Sequence, residues 1–101
     1  MEKSGFCMPI HEIFHIRERG LVVTGRIEKG EVSIGDVVYF ETADGQLIKD
    51  NIILDGLEIF GRITTANEGM NIGLFFKIPY MKSKNEALSV LPLQIGDIVR
   101  K

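Results

Sequence analysis

Short apolar stretches, cut at close intervals by glycines and charged residues, set the rhythm of this chain. Gly20, Gly25, Gly30 and Gly35 fall five residues apart, and Val, Ile, Thr and Leu fill much of the space between them. That interval is too short for helices and suits strands joined by tight turns. Glycine weakens a helix interior by about 1 kcal/mol relative to alanine, while β-branched residues suit a pleated, half-buried surface. Cys7 to Ile16 reads as a first strand, followed by a charged turn at Arg17-Glu18-Arg19-Gly20. Leu21 to Glu28 reads as a second strand and Asp36 to Glu41 as a third. Asp44-Gly45 marks a hairpin. Gln46 to Phe60 reads as a long extended stretch bent near Asp55-Gly56, and Asn71 to Ile78 as a buried fifth strand. Met81 to Ala87 is polar and reads as a helical turn or a loose loop, before a closing strand at Asp97 to Lys101.

One seven-residue phrase occurs twice. Val32-Ser33-Ile34-Gly35-Asp36-Val37-Val38 is echoed by Leu93-Gln94-Ile95-Gly96-Asp97-Ile98-Val99. Each copy tucks an apolar residue inward, turns at Gly-Asp and launches a strand. The echo is too short for a solenoid repeat and reads as one turn device used twice. Six short strands without a helix long enough for a βαβ crossover predict an all-β fold. The specific expectation is a small closed antiparallel barrel, whose closure would remove exposed edges.

Length and composition narrow the possibilities. The 101 residues predict one domain over residues 6–101, with a short polar tail at 1–5. The 45% hydrophobic content fits a packed core. Cys7 is the only cysteine, so no intrachain disulfide can form and a reducing compartment fits best. With no signal-peptide-like apolar segment and no apolar run of the ~20 residues that a membrane helix needs, the expected location is cytoplasmic, without a membrane partner. Twelve basic against fourteen acidic residues give a net charge of −2 with no basic stripe. Indiscriminate coating of DNA or RNA is therefore not expected, since it relies on neutralising phosphates. Binding one RNA end in a shaped site stays compatible with that charge.

Chemical motifs are few. His11-Glu12-Ile13-Phe14-His15 matches the H-E-x-x-H zinc signature, which needs a helix to bring both imidazoles to one ion. Pro9 and the strand-like neighbours predict extended backbone, where the histidines would stand about 13 Å apart along the chain. Zinc holds its nitrogen ligands at about 2.1 Å, so no metal site is expected. Gly25 and Gly30 have the glycine gap of a phosphate loop, but Glu31 and Val32 stand where Lys and Ser or Thr are required. The frames from Gly20 and Gly30 fail likewise, at Arg26-Ile27 and Asp36-Val37. Nucleotide hydrolysis is not expected. Cys7 lacks the cationic setting that lowers a thiol pKa and reads as a half-buried or core residue. The chain is thus expected to be non-enzymatic and to need no cofactor.

The order of these segments resembles the second domain of translation elongation factor Tu and related translational GTPases. The resemblance is carried by Pro9 to Ile16, by Arg19 to Gly30, by Ile34-Gly35-Asp36, by Leu57 to Phe60, by Ala66 to Gly73 and by Ile95 to Ile98. It covers residues 6–101. It implies an all-β, closed six-stranded antiparallel Greek-key barrel, and a translation-factor-like module that binds the aminoacylated 3′ end of tRNA. Residue by residue, it implies that Glu58 sits against the terminal adenosine, with Ile16, Val22 and Phe75 as apolar neighbours of that base. Asn71 would lie near the aminoacyl group, and Phe14 and Thr24 beside the amino-acid side chain. Glu12 replaces the family's usual aspartate and keeps its charge. His11 stands where elongation factor Tu often carries an acid, which removes a partner for the amino group. Phe75 is bulkier than the usual aliphatic residue and would narrow the base site. Glu58, Asn71 and Thr24 also suit purely structural roles in turns and strands. The GTPase and third domains of the family have no counterpart in these residues, so a lone module is expected to hold RNA weakly. The other reading is a protein-interaction module docking on a translational GTPase, on the ribosome or on itself.

Overall fold

A computed structural model describes residues 5–59 and 63–101. Its elements in chain order are β1 (Cys7–Pro9), β2 (Glu12–Ile16), β3 (Gly20–Arg26), β4 (Glu31–Ser33), β5 (Val37–Glu41), β6 (Leu47–Ile53), β7 (Gly56–Glu58), β8 (Thr65–Asn67), β9 (Asn71–Lys77), α1 (Lys84–Val90) and β10 (Ile98–Arg100). The all-β expectation holds, with one short helix. Met1 to Ser4 of the expected tail and Phe60 at the end of the expected extended stretch lie outside the described residues.

The closed six-stranded Greek-key barrel is not what forms. The strands make three separate antiparallel sheets, ordered β1-β10-β5-β6, β2-β3-β9-β7 and β4-β8. The physical reason lies at two corners where the chain changes sheet. The first expected strand breaks at Ile10-His11: the Ile10 N–H donates to the Asp97 carbonyl at 2.7 Å, while the next amide, His11, donates to Thr24 at 2.7 Å. Leu54-Asp55 repeats the manoeuvre, with Leu54 donating to Asp36 at 2.9 Å and Asp55 to Phe75 at 3.0 Å. Consecutive amides thus serve different partners, and among the described residues the sheets are joined by no continuous ladder, only by an isolated bridge between Cys7 and Lys29. Three of the four open edges of the larger sheets, all but β2, carry their own protection. β1 and β7 are three residues long, and β6 is interrupted by register shifts and by Asn51 at φ 55°.

The two four-stranded sheets share one core. Phe40 of β5 meets Phe76 of β9 edge to face, with ring centroids 5.1 Å apart at 71°. Such pairs contribute roughly 0.5–1.5 kcal/mol beyond area burial. Met8, Leu21, Val23, Leu74 and Val99 are fully buried around them. The polar segment after β9 resolves into helix α1. Ser83 caps it by accepting the Glu86 N–H at 3.1 Å, and Ala87 is buried in the core. Among the described residues no helix is long and apolar enough to cross a membrane.

The repeated phrase is one device used twice. Ser33 N–H donates to Asp36 Oδ2 at 2.8 Å, and Asp36 N–H returns to the Ser33 carbonyl at 3.0 Å. Gln94 and Asp97 do the same at 2.7 and 3.1 Å. Gly35 and Gly96 occupy the third position at φ 95° and 99°, as a type II turn demands. The strands they launch, β5 and β10, pair with each other.

Candidate functional site

Alternation along the β2-β3-β9-β7 sheet separates two faces. Ile13, Leu21, Val23, Ile72, Leu74 and Phe76 point into the core. The opposite face carries every residue that the sequence singled out as a candidate contact: Glu12, Phe14 and Ile16 from β2, Val22 and Thr24 from β3, Asn71 and Phe75 from β9, and Glu58 from β7. Glu12 and Phe75, the most distant of these, are 63 positions apart in sequence. Pairing register places them in lateral rows. One row runs Glu12, Thr24, Gly73, Glu58, and the next runs Phe14, Val22, Phe75, Gly56. Neighbouring strands lie about 4.8 Å apart, so each row spans roughly 14 Å.

The first row passes through a cleft of about 570 Å³. Thr24, Glu58 and Asn71 line it together with Arg26, His11 and the bare backbone of Gly73. Gly73 is there because there is no room for more. A Cβ on it would stand 2.8 Å from Val22 Cγ1 and 3.1 Å from Glu58 Cβ, so these two side chains lean over the glycine from either side. Gly56 plays a milder version of the same part, with the Phe75 ring 3.5 Å from where its Cβ would be.

The second row is apolar. Val22 is only 6% exposed although it points away from the core, because Phe14 and Phe75 flank it. Phe14 is 52% exposed and leaves an aromatic surface open to solvent. A polar cleft thus adjoins an aromatic and aliphatic strip on one face. That arrangement can hold a planar group against Phe14 while carboxylate, amide and hydroxyl groups contact its polar edge. Glu12 stands beside Thr24 on the outer strand, and the cleft takes His11 rather than Glu12 in its lining. Ile16 is half-buried beside Gly20, at the hairpin end of the face and outside the cleft.

Arg26 is a cleft residue outside the expected set. It lines the cleft and sits opposite Asn71, and its place two residues after Thr24 was a usable signal, because alternation puts both on one face. Gly73 is likewise not singled out by the sequence, because no local signal tells a floor glycine from a turn glycine.

The H-E-x-x-H segment is extended, with β2 starting at Glu12. His15 Nε2 lies 3.2 Å from the Met81 carbonyl, while His11 lines the cleft. Among the described residues no group of three His, Cys, Asp or Glu side chains is placed to share a metal ion. Cys7 is half-buried on β1, and burial raises its thiol pKa above the ordinary value. Elsewhere in that sheet Arg100 Nε donates to Glu41, and this bond raises the guanidinium pKa. Asp36 is held below the usual carboxylate range, first by its bond from Lys101 at 2.8 Å and then by the Ser33 amide.

No protein-family model matches the sequence.

Proposed function

We propose that this protein is a non-enzymatic binding module whose outer β2-β3-β9-β7 face takes the single-stranded 3′ end of an RNA, with the acceptor end of tRNA as the first candidate. One observation carries the reading. Residues chosen for their resemblance to the second domain of elongation factor Tu share a single sheet face, and Glu58, Asn71 and Thr24 meet in one cleft beside an aromatic strip. Single-stranded RNA is read in this manner, by stacking an unpaired base on an aromatic ring and hydrogen-bonding its edge or the ribose 2′-hydroxyl. The overall charge of −2 is no obstacle, because a terminal nucleotide brings few phosphates.

Titration of aminoacylated and deacylated tRNA at fixed ionic strength tests the proposal. Weak, saturable binding is expected. Phe14, the exposed ring of this face, serves here as the stacking platform in place of the amino-acid side-chain contact that the resemblance implies, so Phe14→Ala should lose about 1–3 kcal/mol, and Glu58→Ala should weaken binding as well. Wild-type affinity in both variants would remove the assigned site. The exposed Phe14 on edge strand β2 also supports a second reading, docking of a protein such as a translational GTPase, the ribosome or a second copy. A stable, Phe14-dependent protein complex without RNA would favour it.

A further inference from the structure

The −2 net charge hides a local reversal. Folding lays the β2–β3 turn against the segment that follows β9. The Ile78 N–H donates to the Arg19 carbonyl at 2.9 Å, Glu18 N–H donates to Met81 at 2.7 Å, and Tyr80 N–H approaches the Glu18 carbonyl at 3.4 Å. Gly20 pairs with Lys77. Five cations from two distant segments, Arg17, Arg19, Lys77, Lys82 and Lys84, are therefore gathered at one end of the sheet, all exposed. The carboxylates beside them are Glu18, Asp55 and Glu86, and Asp55 already accepts the Lys77 N–H at 2.7 Å.

An aromatic ring sits among these charges. Tyr80 is 83% exposed, the most open of the large apolar and aromatic side chains. Its backbone is left-handed at φ 71°, an unusual state for a bulky residue, and it faces Glu18, which is left-handed at φ 63°. The turn's hydrogen bonds hold Tyr80 in a conformation that gains it no packing. Cations interleaved with an exposed ring form the surface that single-stranded nucleic acid favours, with phosphates on the cations and a base on the ring. The tip is also continuous with the face described above. Lys77 lies two residues beyond Phe75 on the same side of β9, and Gly20 is about 13 Å along β3 from Thr24.

We propose that this cationic, tyrosine-bearing tip binds the RNA strand upstream of its 3′ terminus, so that the strand runs along β3 from the cleft to the hairpin. This rests on the cleft being the terminal-nucleotide site, and the test separates the two. Two oligoribonucleotides ending in CCA, four and twelve nucleotides long, are titrated over a range of salt concentrations. The wild-type protein binds the longer RNA more tightly and with a steeper salt dependence. In Arg17→Ala/Arg19→Ala/Lys82→Ala the logarithmic slope for the longer RNA falls by about 2, at about 0.7 per lost phosphate contact, and the four-mer, too short to set phosphates on every cation of the tip, changes less. Tyr80→Ala weakens the longer RNA at least about fivefold. All four side chains are exposed, and circular dichroism confirms that the variants fold. Unchanged binding of the twelve-mer in both variants, with Glu58→Ala still impaired, overturns the tip and leaves the cleft standing. Tip-dependent binding insensitive to Glu58→Ala overturns the strand path along β3 together with the cleft. Failure of the wild type to bind either RNA overturns both.

Discussion

Alanine at position 73 would place a methyl group where the structure leaves no room for one. The added Cβ would lie 2.8 Å from Val22 Cγ1, below any ordinary carbon contact, and 3.1 Å from Glu58 Cβ. Overpacking of this kind costs roughly 1–3 kcal/mol. Alanine recovers about 0.5–1 kcal/mol of the conformational penalty that glycine carries in a strand. The net destabilisation expected for Gly73→Ala is then about 0–2.5 kcal/mol, too wide a range to decide anything alone. A double-mutant cycle with Val22→Ala removes the ambiguity. Val22 is 6% exposed, and truncating it sacrifices about 1.6 kcal/mol at ~0.8 kcal/mol per buried carbon. It also removes Cγ1, the atom nearest the new methyl. The double variant should therefore be more stable than the sum of the single changes by about 1 kcal/mol, within the range seen for side chains in contact. Urea denaturation monitored by circular dichroism measures all four corners of the cycle. Additivity within ~0.5 kcal/mol would refute the contact and, with it, the account of how the cleft floor is shaped.

Three further outcomes are expected. Gly35→Ala and Gly96→Ala should each cost about 1–2 kcal/mol and by nearly equal amounts, because both sites have positive φ and nothing within 4 Å of the added Cβ; thermal melts showing one variant neutral would break the equivalence of the two turns. Asp36 has a folded pKa below its unfolded value of ~3.9, so its contribution is present above that pH and is lost as pH falls from the ordinary carboxylate range through the folded pKa; Lys101→Ala should raise the carboxyl pKa, and an NMR titration of Asp36 that does not move would contradict the pairing. Glu41→Ala should destabilise by about 1–3 kcal/mol, less than the ~3–5 kcal/mol of a fully buried pair because the Arg100 side chain keeps 26% exposure; chemical denaturation indistinguishable from wild type would show that the pair contributes nothing.

The parts of this fold that depend on near neighbours are legible in the residues alone. Glycine spacing and β-branched residues announced strands, Asp44-Gly45 announced its hairpin, and the repeated Ile-Gly-Asp phrase announced twin turns, since turn chemistry is settled within four residues. Alternation likewise sufficed to put Val22 and Thr24, or Glu12 and Phe14, on a common side of each strand. Where successive amides find their partners is a different matter. Nothing local says that Ile10 bonds to Asp97 while His11 bonds to Thr24, and that division leaves open sheets in place of a closed barrel. Nor does local sequence bring Arg17 and Arg19 beside Lys77 and Lys82. Charges scattered through a chain of net −2 become a cationic end only when β3 and β9 pair, because a surface is made of residues that are adjacent in space, and tertiary contacts alone decide which those are.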